Sequence, residues 1–138
     1  MERSLVLVKP DAVQRGLAGA IISRFEEVGL KLIALKMLHM NRTLAERHYA
    51  IHRDKPFFKN LVTYITSSPI VAAVFEGDNA VEVIRKTMGV TDPSKARTGT
   101  IRGDYGLDIE RNSTHGSDSR ENAAGEITLF FKENEIFA

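Results

Sequence analysis

The sequence of 138 residues lacks cysteine and contains no long apolar run. Without cysteine, neither a disulfide framework nor a thiolate metal site can form, which agrees with a reducing compartment. The apolar run after Ser4 is too short for a signal peptide, and no stretch approaches the roughly 20 apolar residues of a membrane helix. These absences predict a cytoplasmic protein with no membrane partner.

The sequence also lacks an excess of charge of one sign. Its 19 Lys and Arg residues nearly balance 18 Asp and Glu residues, for a formal net charge of +1. A balanced charge gives no reason to expect a nucleic-acid partner, so any phosphate binding must come from a local cluster. The length fits one domain with a real core and is short for two, which predicts a single domain over residues 1–138.

The first part of the chain has a strand, helix, strand pattern. Residues 4–9 form a β-branched apolar run that Pro10 stops, as in a strand buried on both faces. Apolar residues then recur at helical spacing through residues 20–28, and Gly29 is placed to end that helix. Residues 30–40 predict a second, longer strand.

The middle of the chain is predominantly helical. Residues 44–68 predict a helical hairpin, with Asn41 or Thr43 as its cap and a break near Pro56, which fits the first turn of the second helix.

The last part alternates again. Residues 70–75 predict a strand and residues 79–88 an amphipathic helix, while residues 90–108 have little periodicity. A fourth short strand is expected to run into His115, and residues 121–131 predict the last helix.

Without its insertions, this order is βαββαβ. It predicts an α+β fold, a ferredoxin-like antiparallel sheet with helices covering one face and a helical hairpin insertion. That fold supports many functions and cannot decide this one.

His115 is the strongest candidate for chemistry. It lies in the hydroxyl-rich segment 112–119, beside Gly116 and ahead of residue types that cap helices, and such a histidine could act on a phosphate. Most histidines flanked by serine and glycine are ordinary loop residues, so the local pattern alone favours that interpretation over catalysis.

The other histidines offer less. His48 and His52 have the helical spacing of a metal pair, but Tyr49 stands where a zinc protease needs glutamate, and no cysteine completes another site. His39 is expected at a strand edge.

Three basic residues are candidates for binding phosphate. Lys9, Arg85 and Arg102 lie near predicted element ends or in the irregular segment, although each alone could be a solvated surface charge. The glycine-rich residues 99–106 match neither a Walker A loop nor the dinucleotide fingerprint. The residues therefore support a phosphate site only as a hypothesis.

Several separated motifs carry a family resemblance. Residues 112–119 contain N-x-x-H-G-S-D, and the other matching segments are residues 5–11, 14–17, 55–58, 99–104 and 125–127. In this order and spacing, the chain resembles the nucleoside diphosphate kinases over nearly its whole length.

The resemblance implies an enzyme that transfers the γ-phosphoryl group of a nucleoside triphosphate to a nucleoside diphosphate. The mechanism would be ping-pong, with a phosphohistidine at His115 formed through Nδ1. Glu126 would hold the other ring nitrogen, and the Ser117 hydroxyl would hydrogen-bond at the histidine. Mg²⁺ would arrive on the nucleotide phosphates, with no all-protein magnesium cage.

The resemblance also implies a nucleotide site. Arg85, Arg102 and the Thr91 hydroxyl would contact the phosphates. Asp118 would hold Arg102 and help to start the last helix. The other positions implied for the nucleotide are Lys9 and Asn112 at the sugar, Phe57 and Ile109 on the two faces of the base, and Tyr49. Stacking without reading base edges predicts little base specificity.

The resemblance further implies a homo-oligomer built from dimers, either a tetramer or a hexamer. Residues 90–99 resemble a loop at the hexamer's three-fold axis. Ala12 and Ser68 depart from the glycines common in the family, which leaves the oligomeric state open.

Two other functions share the predicted topology. An RNA-recognition module would stack bases on aromatics in its central strands, but the third strand offers only Phe75 and the RNP1 pattern is missing. A small-molecule sensor of similar fold would leave His115 without a chemical task.

Overall fold

The computed structural model describes residues 1–138 as one antiparallel four-stranded sheet with seven α-helices. No helix combines the length and apolar character needed to cross a membrane. The strands are β1 (Glu2–Val8), β2 (Lys31–Leu38), β3 (Ile70–Gly77) and β4 (Thr114–Gly116), in the spatial order β2-β3-β1-β4. This order and the connections between the strands are those of the ferredoxin-like fold, as predicted.

Seven helices and three 3₁₀ turns connect and cover the strands. The helices are α1 (Pro10–Gln14), α2 (Ala18–Glu27), α3 (Arg42–His48), α4 (Phe58–Ile65), α5 (Ala80–Met88), α6 (Ile101–Tyr105) and α7 (Arg120–Phe130). The 3₁₀ turns are Ala50–His52, Pro93–Lys95 and Glu133–Glu135.

The helices cover both faces of the sheet, so the expectation that they cover one face was wrong. On one face, Leu5 and Leu7 of β1 belong to a core completed by α3, α4 and α7. On the other face, Val6 and Val8 pack with residues of α1, α2, α5 and α6. Because successive side chains of a strand point to opposite faces, the unbroken apolar run of β1 requires cover on both sides.

The ends of several elements follow local chemistry. Asn41 accepts a hydrogen bond from the Leu44 backbone N–H at 2.8 Å and caps α3, and Gly89 ends α5 with a positive φ of 87°. The hairpin's second helix begins at Phe58, later than Pro56 indicated. The irregular residues 90–108 contain α6, which was not predicted.

Candidate active site

His115 is the middle residue of β4, the short strand that pairs with β1 at the edge of the sheet. Its partner in the register is Leu7, in the middle of the core. A side chain on this strand is therefore held by the most deeply buried part of the molecule.

One ring nitrogen of His115 is held by a carboxylate. Its Nε2 lies 2.8 Å from Glu126 Oε1, and the two side chains are 24% and 17% exposed. An ionised Glu126 can only accept this hydrogen bond, so Nε2 carries the ring proton in the neutral imidazole. Nδ1 has no hydrogen-bond partner within the chain and keeps a lone pair.

Ser117 contacts Glu126, not the His115 ring that it was expected to bond. Its hydroxyl donates to Glu126 Oε1 at 3.1 Å and accepts from the Leu5 backbone N–H at 3.4 Å. Ser117 follows β4 directly and is completely buried, so its hydroxyl lies behind the carboxylate. It therefore helps to fix the group that orients the imidazole.

The backbone is strained just before the histidine. Ser113 has φ = 76°, a left-handed conformation unusual for a residue other than glycine. Its carbonyl accepts a hydrogen bond from the Lys9 N–H at 2.9 Å, and the Thr114 N–H bonds back to the Asn112 carbonyl at 2.9 Å. This tight turn brings Lys9 and Asn112 beside β4.

A second imidazole packs against the first. The His48 ring, at the end of α3, lies edge-on to His115, with centroids 4.7 Å apart and planes at 83°. Both His48 nitrogens are buried and have no hydrogen-bond partner. Burial, with a smaller effect from the nearby His115, holds the pKa of His48 well below its usual value, so this ring is neutral.

Three cations face one region of the site. Lys9 is only 7% exposed, and its Nζ donates to Asn112 Oδ1 at 2.8 Å. Burial and then the charge of Arg102 lower the pKa of Lys9 to about 8. Burial and then Arg85 lower the pKa of Arg102 to about 10. These pKa shifts show that the positive charges repel one another. An anion bound among them would offset that repulsion, so the region favours an anionic ligand.

Arg102 has hydrogen-bond donors left over. It donates from Nη1 to the Gly89 carbonyl at 3.0 Å and from Nη2 to the Thr114 carbonyl at 2.9 Å. Its Nε is buried without a partner. The two carbonyls fix the plane of the guanidinium, and the remaining N–H groups can serve a ligand.

Asp118 does not hold Arg102, contrary to expectation. Its carboxylate accepts from the Asn122 side-chain amide, and the last helix is capped by Ser119, whose hydroxyl accepts from the Asn122 N–H at 3.0 Å. The carbonyls of Gly89 and Thr114 take the place expected of Asp118 at the guanidinium.

These side chains line one cleft of about 620 Å³. Phe57 and Ile109, which are 46% and 61% exposed, offer apolar surfaces in it. Of the residues predicted for the site, the structure places in this cleft Lys9, Tyr49, Phe57, Arg85, Thr91, Arg102, Ile109, Asn112, His115 and Glu126. Ser117 alone lies outside the lining, buried behind Glu126.

Several residues of the cleft are not predicted from the sequence. The sequence relates His48 only to His52 by helical spacing, yet the His48 ring contacts that of His115 in β4. The carboxylate of Glu110 belongs to a lining residue, and the side chains of Ile51, Asn60 and Leu61 line the cleft as well. No local pattern marks these residues, because the cleft is assembled from distant segments.

Comparison with known proteins identifies the family of this chain. The family model for nucleoside diphosphate kinase matches residues 2–136. The chain belongs to the nucleoside diphosphate kinase family. It therefore transfers a phosphoryl group from a nucleoside triphosphate to a nucleoside diphosphate, and the comparisons do not support the RNA-recognition alternative.

Curated relatives match this chain over nine tenths or more of their own length. A nucleoside diphosphate kinase of Dehalococcoides mccartyi is 65% identical over 99% of this chain and 96% of its own length. One from Archaeoglobus fulgidus is 58% identical over 99% of this chain and 90% of its own length. The match thus includes every segment that contributes to the cleft.

Solved structures have the same fold. The nucleoside diphosphate kinase of Aquifex aeolicus has a TM-score of 0.96 at 42% identity, covering 98% of each chain. The halophilic enzyme of Halobacterium salinarum, in complex with CDP, has a TM-score of 0.96 at 49% identity and covers 99% of this chain and 91% of that one.

Proposed function

We propose that this nucleoside diphosphate kinase works by a ping-pong mechanism through a phosphohistidine at His115. The observation that carries the proposal is the 2.8 Å contact between His115 Nε2 and Glu126 Oε1, which leaves Nδ1 with a lone pair. Nδ1 attacks the γ-phosphorus, forming the N–P bond as the bond to the β-phosphate oxygen breaks. The nucleoside diphosphate departs with that electron pair.

Glu126 acts on the charge that this step creates. Phosphorylation of Nδ1 while Nε2 keeps its proton leaves the ring positive, and the carboxylate at 2.8 Å balances that charge. Ser117 stabilises the carboxylate in this position through its hydroxyl. The reverse sequence, with a second nucleoside diphosphate as acceptor, returns the histidine to its neutral form.

The cationic side of the cleft accommodates the phosphates. Phosphoryl transfer spreads negative charge over the equatorial oxygens, and guanidinium groups bind such oxygens in pairs. Arg102 is fixed by two carbonyls with donors to spare, Arg85 is exposed at the cleft, and the Thr91 hydroxyl adds a further donor. These three groups position and stabilise the transferring phosphoryl group.

The remaining residues hold the nucleoside. Lys9 and Asn112, hydrogen-bonded to each other, face the sugar hydroxyls, and Tyr49 lines the cleft beside them. Phe57 stacks on one face of the base and Ile109 covers the other. Because stacking reads no base edge, the enzyme accepts all common bases with little preference. The CDP bound to the relative from Halobacterium salinarum is a pyrimidine ligand consistent with this.

Mg²⁺ accompanies the nucleotide. Glu110 and Asp118 are the carboxylates of the cleft besides Glu126. This donor set fits an ion held by the nucleotide phosphates and water, because Mg²⁺ dehydrates reluctantly. When bound, Mg²⁺ would supply positive charge that offsets part of the negative charge of the phosphates.

The proposal also includes the location and the oligomeric state of the protein. We place the enzyme in the cytoplasm as a homo-oligomer built from dimers. Support comes from β2, an edge strand on which Leu35 and Met37 are 52% and 63% exposed. An exposed apolar edge strand is a surface that a second copy can cover.

Label transfer tests the mechanism. Incubation with γ-labelled ATP and Mg²⁺ is expected to give acid-labile, base-stable label on the protein that chases onto an added nucleoside diphosphate. His115→Asn abolishes the label, while His39→Asn, at an exposed position outside the cleft, retains it. Unlabelled wild-type protein, or label that survives in His115→Asn, contradicts the proposal.

A further inference from the structure

The packing of His48 against the catalytic region is not explained by nucleotide chemistry. Its two ring nitrogens are buried with no hydrogen-bond partner, and its neighbours include the rings of Tyr49 and Phe130, with centroids at 4.7 and 5.4 Å. A buried polar group without a partner costs roughly 1–3 kcal/mol and is rare in folded proteins. The partner of such a group is then a water molecule or a bound ligand, because the protein chain itself provides none.

One His48 nitrogen lies close to the ligand atoms of two other side chains that can bind a metal. One ligand atom from each of His48, His115 and Glu126 lies within 4.8 Å of the other two. Two imidazoles and one carboxylate with an open fourth position are a donor set that zinc sites use. Imidazole nitrogens favour Zn²⁺ over Mg²⁺, which prefers oxygen ligands.

We propose that His48, His115 and Glu126 form a binding site for Zn²⁺ that blocks the nucleophile of this kinase. The site differs from the nucleotide-borne Mg²⁺ in its ligands, which here come from the protein and include two imidazoles. Binding of the metal does not depend on the role of His115, whereas the resulting inhibition rests on the function proposed above.

The distances require a modest rearrangement. With Zn–N and Zn–O bonds of about 2.0–2.2 Å, tetrahedral ligand atoms lie roughly 3.3 Å apart. Glu126 Oε1 would move away from its present 2.8 Å contact with His115 Nε2, and His48 would move closer. His115 and Glu126 are partly exposed to the cleft, so their side chains have room to rotate. The Ser117 hydroxyl, already bonded to Glu126, supplies the hydrogen bond that ligating carboxylates commonly receive.

Coordination of Zn²⁺ prevents nucleophilic attack by His115, whichever ring nitrogen binds the metal. A metal on Nε2 displaces the ring proton, which then resides on Nδ1 and removes the lone pair needed for attack. A metal on Nδ1 occupies that lone pair directly. Zn²⁺ should therefore inhibit phosphoryl transfer even when Mg²⁺ and nucleotides are in excess.

Cobalt provides the direct probe, without any nucleotide. Co²⁺ replaces Zn²⁺ with similar geometry, and wild-type protein is expected to bind one ion with the intense visible absorption of four-coordinate cobalt, lost on adding Zn²⁺. His48→Phe should weaken binding by more than about tenfold, since even an outer-shell partner is worth about that much. His39→Phe, an exposed histidine outside the cleft, is the matched control and should bind as wild type.

Two further measurements separate the outcomes. In imidazole ¹⁵N spectra of the wild-type protein, Zn²⁺ should shift His48 and His115 and leave His39 in place, which needs no variant to fold. At a buffered free Zn²⁺ concentration, transfer by wild type should fall, and His48→Phe should lose less of its own metal-free rate. A pale six-coordinate cobalt spectrum, equal binding by His48→Phe, or no shift of the two imidazoles overturns the site and leaves water as the partner of His48. Metal binding without inhibition would instead contradict the role given to His115.

Discussion

At the scale of single residues, the site combines groups whose protonation is set by burial. His48 is held neutral and Lys9 is held at a depressed pKa, because both are removed from water and face other cationic or ring groups. His115 differs in that a carboxylate at 2.8 Å selects which nitrogen carries its proton. Nucleophilic attack by His115 therefore depends on the position of the Glu126 carboxylate as well as on the imidazole itself.

Lys9 should make the stability of the free protein depend on pH. Its pKa falls from 10.5 to about 8 on folding, so between those values the unfolded chain holds a proton that the folded chain has lost. The free energy of unfolding should then rise with pH across this window, by at most about 3 kcal/mol from this residue. Denaturant titrations of wild type and Lys9→Met over the window measure it.

The comparison with Lys9→Met isolates the lysine. Tyr49, whose pKa burial raises, has the opposite effect at high pH but is present in both proteins. The difference between the two proteins should therefore grow from pH 8 upward in favour of wild type. If the difference in unfolding free energy between the two proteins did not change with pH, folding would not lower the pKa of Lys9.

Phe57 should contribute equally to every base. It is 46% exposed in the free protein and its ring lies 5.4 Å from that of His52, so it offers one open face. Phe57→Ala should weaken the binding of ADP, GDP, CDP and UDP to a similar extent. The expected loss of binding free energy is about 1–3 kcal/mol, because a stacking partner of the base is removed. Calorimetric titration of each nucleotide checks this, and a loss confined to one base refutes unselective stacking.

At the scale of elements, β4 is positioned by its close approach to α5. A Cβ built on Gly116 would lie 2.7 Å from Ile84 Cγ2 and 2.9 Å from Met88 Cε, so only glycine allows this packing. Gly116→Ala should destabilise the fold by about 1–3 kcal/mol and slow transfer, because it displaces the strand that bears His115. Thermal unfolding and steady-state rates measure both effects.

Gly125 provides the matched control. It lies exposed within α7, and a Cβ there meets no heavy atom within 4 Å. Gly125→Ala should therefore raise stability by about 0.5–1 kcal/mol, since alanine favours the helix. If both alanine variants behaved alike, the close contact of β4 with α5 would not explain the requirement for glycine.

Much of the element pattern follows from sequence, for identifiable reasons. The apolar run of β1, the Asn41 cap and Gly89 act over a few residues, so local chemistry predicts them. The unpredicted α6 is five residues long and contains Gly103, which gives no helical periodicity.

The site is predictable to a smaller extent. The motif around His115 and its family resemblance point to the residues of the cleft. The contacts of His48 with His115, of Ser117 with Glu126 and of Arg102 with two carbonyls depend on how distant elements pack. The local sequence pattern around each residue therefore does not predict these contacts.

At the scale of the whole molecule, β2 leaves an apolar edge uncovered. Met37 and Leu35 pair in register with Val71 and Ala73 of β3, which are buried, yet they remain exposed themselves. If a second copy covers this surface, Leu35→Lys with Met37→Lys should lower the molecular mass measured by light scattering. Leu107→Lys, at a residue 51% exposed outside β2, should leave the mass unchanged. An unchanged mass in the double variant would place the interface elsewhere.

In the proposed mechanism, Glu126 holds Nε2 of His115 so that Nδ1 receives the phosphoryl group. The most direct test is the ¹⁵N and ³¹P NMR spectrum of protein labelled at histidine nitrogens and phosphorylated with ATP and Mg²⁺. We expect a single phosphohistidine whose phosphorus couples to Nδ1, with the proton on Nε2. Phosphorus coupled to Nε2, or to a histidine other than His115, would contradict it.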